Sequence, residues 1–127
     1  MNKEELIAFI ESLNLPKEEY YILSSGALVL YGLRDVAGDL DLCVTPKLGK
    51  ELIRRYNLGE ENKKGNNFYN INEKFEFVIN EDLEFDKIGE YQVEKLEKIL
   101  EFKKARRIKR DLEDVANIEK YLASKNN

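Results

Sequence analysis

Asp39 and Asp41 alternate with leucines in Gly38-Asp39-Leu40-Asp41-Leu42. On a strand, residues two apart point to the same face. Both carboxylates therefore project together, while Leu40 and Leu42 turn to the core. Two like charges that close repel, and a divalent cation between them removes the problem. Hard carboxylate oxygens suit Mg2+ or Mn2+. The plainer alternative is a pair of solvated aspartates on an exposed strand face. A third acid, Glu76, stands in Phe75-Glu76-Phe77-Val78. Its inward phenylalanine neighbours put it on the opposite face, where it is either solvated or holds a metal. Taken together, Asp39, Asp41 and Glu76 form a candidate catalytic and metal-binding set.

Ser24-Ser25-Gly26 precedes the aspartates by about a dozen residues, between an expected strand and an expected helix. Backbone N–H groups at a helix N-terminus are free to hold a phosphate, and small residues allow close approach. An ordinary serine N-cap is the structural alternative. A phosphate grip facing a metal grip is what nucleoside triphosphate chemistry requires. Histidine is absent, which excludes Ser-His and Cys-His nucleophiles, histidine zinc sites and a histidine general base. Catalysis must then rest on carboxylates, lysine, arginine, hydroxyls or the lone thiol.

The elements that would carry these residues follow from periodicity. Leu6, Phe9, Ile10 and Leu13 share a helical face over Asn2 to Leu13, with Asn14 as the helix end. Tyr20 to Leu23 reads as a strand, Ala27 to Tyr31 as a short helix closed by Gly32, and Asp39 to Val44 as a strand with two distinct faces. Pro46 opens a helix that ends near Asn57. Glu60 to Asn67 reads as an exposed loop. Phe68 to Ile71 and Lys74 to Ile79 read as strands joined by a tight turn at Asn72-Glu73. Asn80 to Glu90 is acidic and irregular. Helices are expected over Val93 to Arg107 and Asp111 to Leu122, with a frayed tail over Ala123 to Asn127.

This alternation of helices and strands points to an α/β (α+β) fold, and the 127 residues contain no linker, so one domain over 1–127 is expected. Charge is nearly balanced, 21 basic against 25 acidic residues, which argues against a general electrostatic DNA binder. A single cysteine cannot form an internal disulfide, so a reducing, cytoplasmic setting is the default expectation. No apolar run approaches the ~20 residues of a membrane span, and the N-terminus reads as an amphipathic helix rather than a signal peptide.

The run Ser24-Ser25-Gly26-Ala27-Leu28-Val29-Leu30-Tyr31-Gly32-Leu33-Arg34, followed by Asp39-Leu40-Asp41-Leu42 and a later strand acid, resembles the signature of the nucleotidyltransferase superfamily with the DNA polymerase β-like fold. The nearest flavour is that of small bacterial proteins related to the AbiEii-like nucleotidyltransferases, some of which are toxins of toxin–antitoxin pairs. In these relatives a lysine-containing helix and a Lys/Arg-Asp-x-x-Asp segment follow. Here Phe102-Lys103-Lys104-Ala105 and Arg110-Asp111-Leu112-Glu113-Asp114 look like them. The similarity runs from about Tyr20 to Leu122. One departure stands out: Ser24 occupies the place where the family usually has glycine, and its Cβ narrows the phosphate approach.

The resemblance implies a mixed sheet packed by helices, with a C-terminal helical pair. It implies a metal-dependent enzyme that moves a nucleoside monophosphate from a nucleoside triphosphate to an acceptor hydroxyl on RNA, protein or a small molecule, with a cognate antitoxin as a further expected partner. A non-catalytic nucleotide- or partner-binding module on the same fold is the alternative. Asp39 and Asp41 would bridge two metals, Glu76 would hold the catalytic one, and Ser24, Ser25 and Gly26 would hold phosphates. Lys103 is expected at triphosphate or pyrophosphate oxygens, with Arg110 as a further candidate. The crowded cations Lys103 to Arg110 are equally explained as a solvated helix end that complements the helix dipole, or as a local RNA-binding edge. Arg34 either holds phosphate or pairs with Asp35 or Asp39. Asp111 is either a functional acid or a helix cap. Cys43 reads as a small buried residue, and the aromatics as mostly core.

Overall fold

Asn2 starts the first helix by a reciprocal cap. Its Oδ1 accepts the Glu5 N–H and its own N–H donates to Glu5 Oε1, both at 2.9 Å. The helix, α1 (Lys3–Leu13), buries Leu6, Ile10 and Leu13 on one face and ends at Asn14, which adopts a left-handed conformation. The computed structural model describes residues 1–125. Beyond α1 the order is β1 (Tyr20–Ile22), α2 (Ser24–Tyr31), β2 (Leu40–Val44), α3 (Pro46–Arg55), β3 (Lys63–Gly65), β4 (Phe68–Asn72), β5 (Phe75–Ile79), β6 (Asp86–Ile88), β7 (Tyr91–Val93), α4 (Leu96–Arg106) and α5 (Leu112–Lys125).

The strands form one seven-stranded sheet in the order β3-β4-β5-β2-β1-β7-β6. It is mixed: β2 runs parallel to β5 and β1 parallel to β7, while the other neighbours are antiparallel. Helices pack on it, and α4 and α5 form a C-terminal pair. The fold is therefore α+β. Leu40, Leu42, Phe75 and Phe77 alternate inward from the two central parallel strands into a core shared with Leu6, Leu28 and Ile118. Among the described residues, no helix is long and apolar enough to cross a membrane.

Two local packings set the position of β2, the strand that carries Asp41. Helix α2 is buried from Gly26 to Leu30, and a Cβ on Gly26 would sit 2.9 Å from Ile22 Cγ2. Glycine there lets α2 lie against β1, which is a packing reason rather than a phosphate-binding one. Gly32, at φ +78°, closes the helix. After β2, Thr45 Oγ1 accepts the Leu48 N–H at 3.1 Å and Pro46 fills the first helical position, so α3 begins without a free strand end.

Several expectations need correction. Helix α2 starts three residues earlier than the apolar pattern indicated, because Ser24 and Ser25 carry no periodic signal but continue the backbone bonding. The stretch read as an exposed loop, Glu60 to Asn67, contains a 3-10 turn and the edge strand β3, which pairs with β4 through Lys63 and Tyr69. The acidic, irregular stretch Asn80 to Glu90 contains β6, turned onto β7 at Gly89 (φ +60°). Val93 lies in β7 rather than opening a helix, and α4 begins at Leu96. Its partner β1 supplies the reason: Val93 is fully buried in parallel register beside Ile22, between β1 and β6. Ala123 to Lys125 are helical rather than frayed, and Asn126 and Asn127 lie outside the described residues.

Candidate metal centre

Parallel pairing of β2 with β5 places Asp41 directly beside Glu76, flanked by the buried pairs Leu40–Phe75 and Leu42–Phe77. Asp39 lies just before β2. One carboxylate oxygen from each of Asp39, Asp41 and Glu76 falls within 4.8 Å of the others. The strand period puts the acids on the face opposite the core, and the register, which no local pattern encodes, brings the third acid level with the second.

The electrostatics of the cluster are unfavourable without a cation. Burial, then the charges of Asp39 and Glu76, push the Asp41 carboxyl up to about 7. Burial and then Glu76 raise Asp39 as well. Among the described residues, Asp41 Oδ1 is a buried side-chain oxygen with no hydrogen-bond partner, a state that costs free energy. Glu76 is partly compensated: its Oε1 accepts from Lys64 Nζ at 2.8 Å and from Asn70 Nδ2 at 2.7 Å. Three converging carboxylates with one orphaned oxygen fit a hard divalent cation such as Mg2+ or Mn2+.

A cavity of about 330 Å3 opens beside the acids, lined among others by Ser24, Asp41, Glu76, Glu94, Phe102 and Arg106. Ser24 heads α2 with φ +47°, the left-handed region in which glycine carries no Cβ penalty. Its N–H donates to Glu94 Oε1 at 2.9 Å, so the first donor of α2 meets the chain's own carboxylate. Burial raises the Glu94 carboxyl, against the lowering effect of that bond and of the Lys103 charge. Ser25, half-buried, and Gly26, buried, follow within the helix.

Glu94 was not singled out by the sequence. It follows β7, whose parallel pairing with β1 brings it beside Ser24, 70 positions away in the chain. A strand pattern in Tyr91-Gln92-Val93 was the available signal. Arg106 was visible only as one cation among many.

The basic residues singled out by sequence lie elsewhere. Lys103 is 3% exposed, with Nζ 3.2 Å from Asp111 Oδ1 and 3.3 Å from Asp114 Oδ2. It does not line the acidic cavity. Arg34 pairs with neither Asp35 nor Asp39: its Nη1 lies 2.7 Å from Asp114 Oδ2 and its Nε donates to the Val36 carbonyl at 2.8 Å. It faces a second, more polar cleft of about 650 Å3 shared with Arg110, Asn117 and Lys120. Asp111 does not serve as a cap, because its two oxygens accept from Arg106 Nε at 2.6 Å and Nη2 at 2.8 Å. The Arg106 guanidinium pulls its carboxyl down to about 2. Cys43 is buried, as expected of a small residue in β2.

Comparison with protein-family models, with curated proteins and with solved structures finds no match. Fold and site together define an α+β protein that carries three converging carboxylates on neighbouring parallel strands.

Proposed function

We propose that this protein is a metal-dependent nucleotidyltransferase. The observation that carries the reading is the convergence of Asp39, Asp41 and Glu76, with the orphaned Asp41 Oδ1, beside a cavity that Asp41, Glu76 and Ser24 at the start of α2 line. Asp39, Asp41 and Glu76 would hold a divalent cation, which would supply Lewis-acid polarisation of a phosphate and neutralise developing charge. Ser24, at the start of α2 and on the cavity wall, would face the phosphate chain, with Ser25 and Gly26 following behind it in the helix. An acceptor oxygen bonds to the α-phosphorus, and the bond from that phosphorus to the bridging oxygen breaks. Pyrophosphate leaves, and the hydroxyl proton passes to a carboxylate of the set.

The test is pyrophosphate release from each of the four common nucleoside triphosphates, with Mg2+ and with bulk tRNA or the protein itself as acceptor. Asp39→Asn and Asp41→Asn are expected to lower the rate at least ~100-fold with far-UV circular dichroism unchanged. Undiminished turnover in both variants overturns the reading.

The Ser24–Glu94 bond favours a second reading, a non-catalytic binding module, because a carboxylate already sits where a phosphate would be held. Thermal shifts with the same nucleotides, with and without Mg2+, separate the two. Stabilisation that requires metal supports the enzyme; stabilisation indifferent to metal supports the module.

A further inference from the structure

The acidic cavity presents an imbalance. Asp41, Glu76 and Glu94 line it, and an anionic substrate entering beside them needs a cation that the chain holds in place. The cluster of cations at the end of α4 offers three candidates, and the structure separates them. Lys103 is enclosed between Asp111 and Asp114. Lys104 points away to an exposed pair with Glu119, 2.8 Å distant. Arg106 reaches the cavity wall.

The guanidinium of Arg106 is also the best oriented of the three. Asp111 receives its Nε and Nη2 hydrogens at 2.6 and 2.8 Å, a fork that fixes the plane. The ring of Phe102 backs it, with the guanidinium carbon 4.9 Å from the ring centre. Asp111 is itself held in place by buried Lys103. Of the five guanidinium donors, Asp111 takes two, and the side chain keeps 30% of its surface exposed. A cation with spare donors, held before the ligand arrives, loses little conformational freedom on binding.

We propose that Arg106, rather than Lys103, is the residue on which this cavity takes the phosphate tail of its substrate, a di- or triphosphate bound together with a divalent cation. The inference rests on reading the cavity as a phosphate site and deepens that reading. Arginine suits the role because its planar fork matches two phosphate oxygens at once, which a lysine ammonium does not.

Titration calorimetry with Mg2+–pyrophosphate and with Mg2+–ATP, on the full chain and on Arg106→Ala, Arg106→Gln and Lys104→Ala, decides it. Arg106→Ala is expected to weaken both ligands about 10-fold or more, the effect of losing a charge-assisted bond. Arg106→Gln is shorter but places an amide donor near the position of Nε, toward Asp111 Oδ2, so it guards against a folding defect while removing the charge and the Nη donors; it is expected to weaken binding to a similar degree. Lys104→Ala removes the same charge away from the cavity and is expected to bind within about twofold of the unsubstituted chain. Unchanged affinity in Arg106→Gln, or an equal loss in Lys104→Ala, overturns the proposal. Pyrophosphate binding through Arg106, with no binding of Mg2+–ATP or of the Mg2+ complexes of CTP, GTP and UTP titrated in the same way, keeps the Arg106 assignment and overturns the nucleotidyltransferase reading. Binding of neither ligand by the unsubstituted chain overturns both.

Discussion

Asp41 and Glu76 stand side by side on parallel strands, and one oxygen of Asp41 is buried with no hydrogen-bond partner among the described residues. Lys64 on the edge strand β3 and Asn70 on β4 answer Glu76, whereas among the described residues no donor answers Asp41 Oδ1. Such a pair lowers stability unless a cation completes it, so its energetics and its chemistry are coupled.

The first prediction concerns pH. The folded Asp41 carboxyl titrates at about 7 against 3.8 for an unperturbed aspartate. Between those values the folded state binds more protons than the unfolded state, so this group lowers stability as pH rises through the window. Asp41→Asn is therefore expected to raise Tm near pH 8, by ~4 °C for each 1 kcal/mol relieved, and to leave it nearly unchanged near pH 4. Added Mg2+ or Mn2+ should raise Tm of the unsubstituted chain near pH 8 and not that of the variant. Scanning calorimetry at both pH values checks this; a variant less stable near pH 8 contradicts it.

Ser24 gives a second. Its φ of +47° places a side chain in a conformation that glycine adopts freely. Ser24→Gly is expected to gain about 0.5–1 kcal/mol, the relieved left-handed strain less the extra chain entropy of glycine. Ser24→Val should lose at least ~1 kcal/mol, since a branched Cβ tolerates that region worst. Urea denaturation midpoints measure both, and a loss in the glycine variant sinks the strain account.

A third compares two neighbouring lysines. Lys103→Met keeps the apolar stem but leaves Asp111 and Asp114 each with a single arginine, and is expected to cost about 3 kcal/mol. Lys104→Met breaks only an exposed pair and should change stability by less than ~0.5 kcal/mol. Equal effects in equilibrium unfolding would show that the buried network does not anchor α4 to α5.

Asp39, Asp41 and Glu76 were legible because strand alternation is a two-residue rule, and Phe75 and Phe77 mark which face Glu76 avoids. The long helices were legible for the same kind of reason, as with Leu6, Ile10 and Leu13 on α1. β3 and β6 were not: both are short, polar strands toward the edges of the sheet, and backbone pairing there needs no apolar pattern. Arg34 and Asp111 were read through nearby acids and capping, while their actual partners are Asp114, 80 positions on from Arg34, and Arg106 with Lys103.

The sequence by itself determined which faces of β2 and β5 carry acids, and that no histidine is available to the site. Only the tertiary structure decided that β2 and β5 are parallel neighbours in the register that levels Asp41 with Glu76. It also decided that Glu94 meets Ser24, and that Arg106 rather than Lys103 borders the cavity. The physical reason is range. Periodicity reports which side of an element is buried, whereas register and partner choice arise from contacts between segments far apart in the chain, where no local rule operates.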